Sequence, residues 1–155
     1  MTLPLIRDTW RASVPTKGLL LDTGPLVAYL DPDEINHAWV CQEMNDHEGP
    51  LITCEPVLTE AFFLLRNHVH QVVALEKILL DATIDFSFSL QKEIQPVTVL
   101  QRRYREIAMS LADACLVRLS ELYPRLNVLT LDSDFRIYRR NKRDLIPCLF
   151  PPTPG

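Results

Sequence analysis

The sequence predicts an α/β fold, a three-layer α/β/α sandwich around a parallel sheet of four to five strands. Short and wholly apolar runs such as 19–21 are typical of strands that are buried on both faces. These runs alternate with longer segments of helical periodicity, which is the pattern of parallel strands joined by crossover helices. Acidic residues stand directly after two of the predicted strands, at the sheet edge where such folds bind ligands.

The first half of the chain gives clear local signals for its elements. Gly24-Pro25 is a helix start, and Glu55-Pro56 is another, because proline is favoured in the first helical turn. Leu58, Phe62 and Leu65 form one apolar stripe at helical spacing. The predicted elements are a strand at 18–21, helices at 24–30 and 36–45, a strand at 51–53, and helices at 55–67 and 71–80.

The second half continues the alternation. Residues 83–88 form a strand with Ile84, Phe86 and Phe88 inward, and a helix follows at 91–105, its start limited by Pro96. Ser110 opens a helix that stops before Pro124. The remaining predicted elements are a strand at 127–131, a short helix at 134–139 and a strand at 145–150. Residues 1–17 are an N-terminal arm, 18–150 one domain and 151–155 a flexible tail.

Composition fits one packed domain, with 155 residues of which 47% are hydrophobic and 23% charged. The net charge of −4 predicts no bulk attraction to nucleic acid. The charge is uneven, because residues 31–48 hold six acids without a Lys or Arg, whereas 136–143 hold five basic residues without an acid. The basic run is either a solvated face or a phosphate-binding patch.

Four cysteines without a C-x-x-C pair indicate reduced and mostly buried thiols, as in a cytoplasmic protein. No Cys or His spacing predicts a zinc site, and we expect His37, His47, His68 and His70 to be surface or helix-end residues. Neither a signal peptide nor a membrane-spanning segment is predicted.

Four acids are the candidate site residues: Asp22, Glu60, Asp113 and Asp132. Each stands among apolar residues, where an ionised carboxylate is costly unless its charge is compensated. Singly, Asp22 and Asp132 could be helix N-caps, and Asp113 the third-position partner of a capping box with Ser110. Glu60 lies one turn into an apolar helix, where a solvated role is less natural.

Together, these acids predict a divalent metal site. Oxygen ligands select hard cations such as Mg²⁺ or Mn²⁺, and two ions roughly 3.5–4 Å apart could support phosphodiester hydrolysis. Thr23 and Thr130 place hydroxyls next to the site, where they could bond a phosphate, a metal-bound water or an acid. Arg136, Arg139 and Arg140 follow the fourth acid closely and could hold an RNA backbone.

Four segments in this order carry a resemblance to a known family. They are 21–28 (Leu-Asp-Thr-Gly-Pro-Leu-Val-Ala), 53–61 (Thr-Cys-Glu-Pro-Val-Leu-Thr-Glu-Ala), Tyr104 with 109–114 (Met-Ser-Leu-Ala-Asp-Ala), and 130–136 (Thr-Leu-Asp-Ser-Asp-Phe-Arg). The chain resembles PIN-domain ribonucleases, most of all VapC-type toxins and their free-standing relatives, over about residues 18–150.

The resemblance implies a Mg²⁺- or Mn²⁺-dependent endoribonuclease with Asp22, Glu60, Asp113 and Asp132 as metal-binding carboxylates. Asp134 competes with Asp132 for the fourth position. The resemblance also implies an RNA substrate, a cognate antitoxin as partner, and a homodimer. The arm is longer than in compact toxins, and Glu106-Ile107-Ala108-Met109 replaces the usual acid-x-Pro-Met run, which we expect to alter a loop and not the metal site.

Two other functions remain as alternatives. A non-catalytic PIN-fold module that binds RNA or protein would need no turnover, but it would have no physical reason to keep four acids. A phosphoacceptor receiver domain also gathers acids at strand ends. That chemistry needs a lysine after a late strand, and Lys142 instead precedes the last predicted strand.

Overall fold

The computed structural model describes residues 14–153, and a five-stranded parallel sheet lies at the centre of this region. The strands are β1 (Leu19–Leu21), β2 (Leu51–Ile52), β3 (Ile84–Asp85), β4 (Asn127–Leu129), β5 (Arg139–Arg140), β6 (Asp144–Leu145) and β7 (Cys148–Leu149). The order across the main sheet is β3-β2-β1-β4-β7, and β5 and β6 form a separate antiparallel pair.

The α-helices alternate with the strands through most of the described chain. They are α1 (Thr23–Leu30), α2 (His37–Asp46), α3 (Glu55–Leu65), α4 (Val69–Leu80), α5 (Leu90–Arg103) and α6 (Leu111–Leu122). Two 3₁₀ turns, Arg105–Ile107 and Ser133–Arg136, precede α6 and follow β4. The predicted α/β/α sandwich is confirmed.

The centre of the sheet is β1. Its three leucines are at most 3% exposed, so helices cover both faces of this strand, as the uninterrupted apolar run predicted. β1 pairs in parallel with β2 on one side and with β4 on the other, with Leu21 opposite Leu129. The core around it is built from Leu, Val, Ala and Ile of all six helices and closes over Phe135 and Tyr138.

The strand order reverses at β1, and this reversal fixes the place of the site. The chain moves from β1 through β2 to β3 in one direction, then returns to the opposite side of β1 to form β4. The loops that follow β1 and β4 therefore separate in opposite directions and leave a crevice between their carboxyl ends, which is the usual ligand site of such sheets. Asp22 and Thr130 are the first residues after these two strands.

The prediction that Pro96 limits the start of α5 is wrong. The helix begins at Leu90, where the Ser89 hydroxyl accepts a hydrogen bond from the Lys92 N–H, and Pro96 lies inside it. The cap satisfies a free N–H of the first turn, and the helix continues past Pro96 although proline contributes no N–H there, so the cap and not the proline marks the start of this helix.

The end of the domain also differs from the prediction. The helix expected at 134–139 is a single 3₁₀ turn, and the strand expected at 145–150 is divided between β6 and β7. Between β5 and β6 the chain reverses at Asn141 and Lys142, both of which have positive φ. Asparagine tolerates this conformation and is a turn signal, which the basic character of the segment obscured.

Part of the predicted organisation lies outside the described residues. Most of the predicted arm belongs to residues 1–13, and the last two residues of the predicted tail are 154–155. The boundaries at 17 and 150 stay predictions. Within residues 14–153, no helix has the length and apolar character needed to cross a membrane.

Candidate active site

Asp22 is the most buried of the candidate acids. It leaves β1 with its N–H bonded to the Leu129 carbonyl of β4 and becomes the N-cap of α1, with its side chain only 6% exposed. Its Oδ1 accepts from the Thr23 N–H at 2.7 Å, and its Oδ2 accepts from the Thr130 hydroxyl at 2.6 Å. The carboxylate is therefore fixed at the crevice by one group from α1 and one from the end of β4.

Thr130 connects Asp22 to Asp132. Its fully buried hydroxyl donates to Asp22 and accepts from the Asp132 N–H at 3.0 Å. Asp132 in turn caps the Ser133–Arg136 turn, because its Oδ1 accepts from the Asp134 N–H at 2.9 Å. Gly24 permits the close approach of these two segments, since a Cβ there would lie 3.3 Å from the Leu131 side chain.

Glu60 is held by Thr23. The Thr23 hydroxyl donates to Glu60 Oε2 at 2.9 Å, which joins α1 to α3 at the crevice. The expectation that Glu60 is embedded among apolar groups is wrong, because this residue is exposed. The stripe that α3 buries is formed by Val57, Leu58, Ala61 and Leu65, and Glu60 lies beside it.

Asp113 opens α6 with the predicted capping box. Its N–H donates to the Ser110 hydroxyl at 3.0 Å, and its Oδ2 accepts from the Ser110 N–H at 3.3 Å. The same oxygen accepts from the Tyr138 hydroxyl at 3.1 Å. Burial and the Asp113 charge raise the pKa of Tyr138, so its phenol remains protonated and donates to the acid.

Three of the acids act on one another electrostatically. Burial first, and then the negative charges of Asp113 and Asp132, raise the pKa of Asp22 to about 7, against the opposing effect of the hydrogen bonds from Thr130 and Thr23. Burial also raises the pKa of Asp113, with a further contribution from Asp132. The crevice therefore holds carboxylates whose ionised forms are destabilised by burial and by mutual repulsion.

Within residues 14–153, three of the four candidate acids keep one carboxylate oxygen without a hydrogen bond, and Asp22 is the exception because both of its oxygens accept. Among the described residues, Asp113 Oδ1, Asp132 Oδ2 and Glu60 Oε1 receive no hydrogen bond, although the other oxygen of each group is bonded. The helix-cap interpretation and the site interpretation are thus compatible, because one oxygen serves the fold while the second faces no protein donor.

This donor set has the chemistry of a hard-cation site. No three His, Cys, Asp or Glu side chains within residues 14–153 stand in a ready coordination arrangement. Mg²⁺, however, usually takes one or two protein carboxylates and keeps several waters. Oxygen-only donors, free carboxylate oxygens and a buried acid with a raised pKa all fit a cation of this kind.

Asp134 is placed less centrally than Asp132. Asp132 acts on both Asp22 and Asp113, whereas Asp134 is among the charges that raise the pKa of Tyr138 but not those of the two acids. The electrostatic contacts agree with Asp132, and the choice of the fourth acid stays a prediction.

The arginines of the basic run have distinct surroundings. Arg136 lies flat over the Phe150 ring, with the guanidinium carbon 3.9 Å from its centroid. One terminal nitrogen of Arg139 donates to the carbonyls of Arg136, Ile137 and Tyr138, and one of Arg140 donates to those of Ser120 and Pro124. Much of the basic run therefore makes contacts within the protein, which stabilise the C-terminal end of the fold.

Sequence reasoning missed the tyrosines that support Asp113. Tyr138 packs edge-on against Tyr104 with ring centroids 5.1 Å apart, and the Tyr104 hydroxyl accepts from the Arg139 N–H. Tyr104 was noted only as part of a motif, and Tyr138 lies 25 residues from the acid that it contacts. No local pattern could have revealed that pairing.

The loop before α6 has a backbone conformation that proline could not adopt. Ala108 has φ 51° and ψ 45°, in the left-handed region. Proline, whose ring fixes φ near −65°, could not adopt this conformation, so the chain takes a different path here. The capping box of Ser110 and Asp113 forms directly after this loop, and the expectation for the metal site stays a prediction.

Comparison with known proteins gives one curated relative and two solved structures of note; no family model matches the chain. Ribonuclease VapC26 of Mycobacterium tuberculosis (strain ATCC 25618 / H37Rv) is 27% identical over 116 residues, which cover 74% of this chain and 86% of the relative. The resemblance to VapC-type PIN-domain proteins is confirmed.

The solved structures show the same fold. The crystal structure of Mycobacterium tuberculosis VapC20, a sarcin-ricin loop cleaving toxin, has a TM-score of 0.66 at 20% identity and covers 75% of this chain and 91% of its own. A toxin-antitoxin complex from Klebsiella pneumoniae has a TM-score of 0.58 at 19% identity, with coverages of 76% and 89%. The VapC-like part therefore spans about three quarters of the chain.

Proposed function

We propose that this VapC-like chain is a Mg²⁺- or Mn²⁺-dependent endoribonuclease that hydrolyses RNA phosphodiester bonds, acting as the toxin of a toxin-antitoxin pair or as a free-standing nuclease. The observation that carries the proposal is the buried Asp22 at the reversal of the sheet, with Asp113 and Asp132 acting on its charge. The similarity to the ribonuclease VapC26 supports it.

In this proposal Asp22, Glu60, Asp113 and Asp132 hold the metal. A divalent cation bound there would offset their repulsion and would lower the pKa of a bound water for attack on the phosphodiester. Thr23 and Thr130 position Glu60 and Asp22, because their hydroxyl hydrogens are donated to these acids. Tyr138 and Ser110 keep one oxygen of Asp113 occupied, which leaves the other for the cation.

The first test measures RNA cleavage with and without the acids. We expect purified protein to cleave RNA with Mg²⁺ or Mn²⁺ and to stop when the metal is chelated. Asp22→Asn and Asp113→Asn should each lower kcat by about 100-fold or more, since each removes a charged ligand but preserves the side-chain size. Asp33→Asn, an exposed acid away from the crevice, is the matched control.

Equal cleavage by the wild type and both crevice variants would refute the site assignment. Absence of cleavage together with absence of Mn²⁺ binding in titration calorimetry would instead favour the non-catalytic module.

We further propose a cognate antitoxin as protein partner. A groove of about 310 Å³ adjoins the crevice and is lined by Glu55, Glu60, Phe88, Leu90 and Leu111 among others. Carboxylates beside apolar side chains suit a peptide segment with apolar residues and an Arg that reaches the acids. Co-purification with the product of the adjacent gene, and its loss in Leu111→Asp, would test this partner.

A homodimer and a cytoplasmic location complete the proposal. Exposed apolar side chains on α3 and α4 offer a surface for a second copy: Phe63, Leu64, Val69 and Val73. Light scattering should show a dimer for the wild type and a monomer for Val73→Glu.

The proposed cytoplasmic location agrees with the four cysteines, which are free as in proteins of a reducing compartment.

A further inference from the structure

A second groove lies at the altered loop that precedes α6. It has a volume of about 540 Å³ and is lined by Thr98, Gln101, Arg102, Arg105, Ala108 and Met109. Met109 directly precedes Ser110, whose N–H bonds Asp113 at 3.3 Å. One wall of the groove is therefore continuous in sequence with the backbone that caps Asp113.

The charge of this groove is positive. Arg102 and Arg105 are both exposed, and no acid is among the described residues that line the groove. Neither arginine takes part in the ion pairs of the described chain, which join Lys17, Lys77 and Arg118 to acids. Two unpaired guanidinium groups beside a strongly acidic crevice are a suitable site for phosphate groups.

The other surfaces near the crevice are less suitable for phosphates. The groove along Phe88 carries Glu55 and Glu60, and the larger groove beyond it, of about 740 Å³, carries Glu55 and Asp85. Arg139 and Arg140 each donate hydrogen bonds from a terminal nitrogen to backbone carbonyls, so these nitrogens are already occupied. An RNA strand that crosses Asp22 and Asp113 therefore meets repulsion on one side and free positive charge on the other.

We propose that Arg102 and Arg105 bind the phosphates of RNA that flank the cleaved bond, and that the groove in front of Met109 guides one arm of the substrate. This inference rests on the proposed ribonuclease activity and adds two substrate-binding residues to it. The path is inferred from the order of the chain, because α5, the Arg105–Ile107 turn and Ser110 lead directly from the arginines to Asp113.

Arg103 provides the matched control. It lies in the same last turn of α5 as Arg102, so both complement the negative end of the helix equally. Its guanidinium, however, donates to the Lys142 carbonyl at 3.1 Å and lines a different cavity with Glu121. If substitution of any of the three arginines weakened RNA binding equally, the cause would be the helix or the net charge. If only substitution of Arg102 and Arg105 weakened it, the cause would be the groove.

The test measures RNA affinity by fluorescence anisotropy with a labelled oligouridylate and a labelled RNA hairpin. Asp22→Asn is the common background, so that binding is scored without turnover. We expect Arg102→Gln and Arg105→Gln each to weaken binding several-fold and to lower the slope of log affinity against log salt by about 0.7. Arg102→Lys and Arg105→Lys should retain most of the binding, and Arg103→Gln should bind like the background protein.

A cleavage assay in the otherwise wild-type chain separates binding from chemistry. We expect the Arg102→Gln, Arg105→Gln double variant to raise KM several-fold with little change in kcat, at an unchanged Tm. If the wild type cleaves RNA and the double variant binds and cleaves like Arg103→Gln, the groove assignment is overturned while the proposed function stands. If the wild type shows no metal-dependent cleavage but the binding differences appear, the proposed function fails and the groove remains an RNA site.

Discussion

Asp22 has two roles whose energetic demands are opposed. As the N-cap of α1 it needs an ionised or strongly accepting oxygen, but its burial disfavours that charge. Thr130 and the Thr23 N–H offset part of this cost, and the charges of Asp113 and Asp132 increase it. The ionised form of Asp22 is therefore less favourable in the folded chain than in the unfolded chain.

This opposition predicts a pH dependence of stability. The pKa of Asp22 rises from 3.8 to about 7 in the folded chain, so between these values the folded state holds a proton that the unfolded state has released. The contribution of Asp22 to the free energy of unfolding should thus fall as pH rises through this window and stay low above it. The loss is on the order of 4 kcal/mol, since one pKa unit corresponds to about 1.4 kcal/mol.

Urea unfolding of the metal-free wild type and of Asp22→Asn across this pH range would measure the effect. The free energy of unfolding of Asp22→Asn should lack the decrease with pH that Asp22 causes in the wild type. Above neutral pH, Mg²⁺ should stabilise the wild type more than the variant. Asp33→Asn should follow the wild type. If the free energy of unfolding changed with pH in the same way for all three proteins, Asp22 would not have a raised pKa in the folded state.

At the scale of elements, the capping box joins the start of α6 to the site. Ser110 satisfies the N–H of Asp113, and the Asp113 carboxylate returns to the N–H of Ser110. The same acid must face the crevice with its other oxygen. The cap therefore orients a functional group in addition to stabilising a helix.

Ser110→Ala should lower the free energy of unfolding by about 1 kcal/mol, or Tm by about 2–4 °C, because the N-cap acceptor is lost. It should also lower kcat, since Asp113 loses its orientation. Ser89→Ala removes the corresponding cap of α5, far along the chain from the acids, and should cost similar stability without a change in kcat. Thermal unfolding and RNA cleavage would be measured on both variants; equal losses of kcat would contradict the orienting role.

The elements also show how far the sequence could predict this protein. Apolar runs and caps placed β1, α1, α3 and α6 because burial and N-terminal hydrogen bonds are local to the sequence. The division of the last strand into β6 and β7, and the contact of Tyr138 with Asp113, depend on tertiary packing between distant segments. The exposure of Glu60 likewise depends on which face of α3 meets the core, and the apolar run 61–65 left that face ambiguous.

At the scale of the whole molecule, the sheet order explains why distant segments form one site. β1 and β4 are adjacent although more than a hundred residues separate them, and β7 completes the edge beside β4. The Val128 N–H bonds the Pro147 carbonyl, and the Thr130 N–H bonds the Leu149 carbonyl. The C-terminal strand therefore supports the same threonine that holds Asp22.

Truncation of the chain tests this dependence and the predicted domain boundary. A chain that ends at Phe150 keeps β7 and the ring beneath Arg136, so we expect its Tm and its RNA cleavage to match the full chain. A chain that ends at Pro147 loses β7 and the Leu149 partner of Thr130, and its Tm should fall by at least about 10 °C with loss of cleavage. Circular dichroism and cleavage assays on both chains would show the difference.

If the shorter chain kept its Tm and activity, β7 would have no part in holding Thr130 and Asp22. If the chain ending at Phe150 unfolded, the domain would extend beyond residue 150.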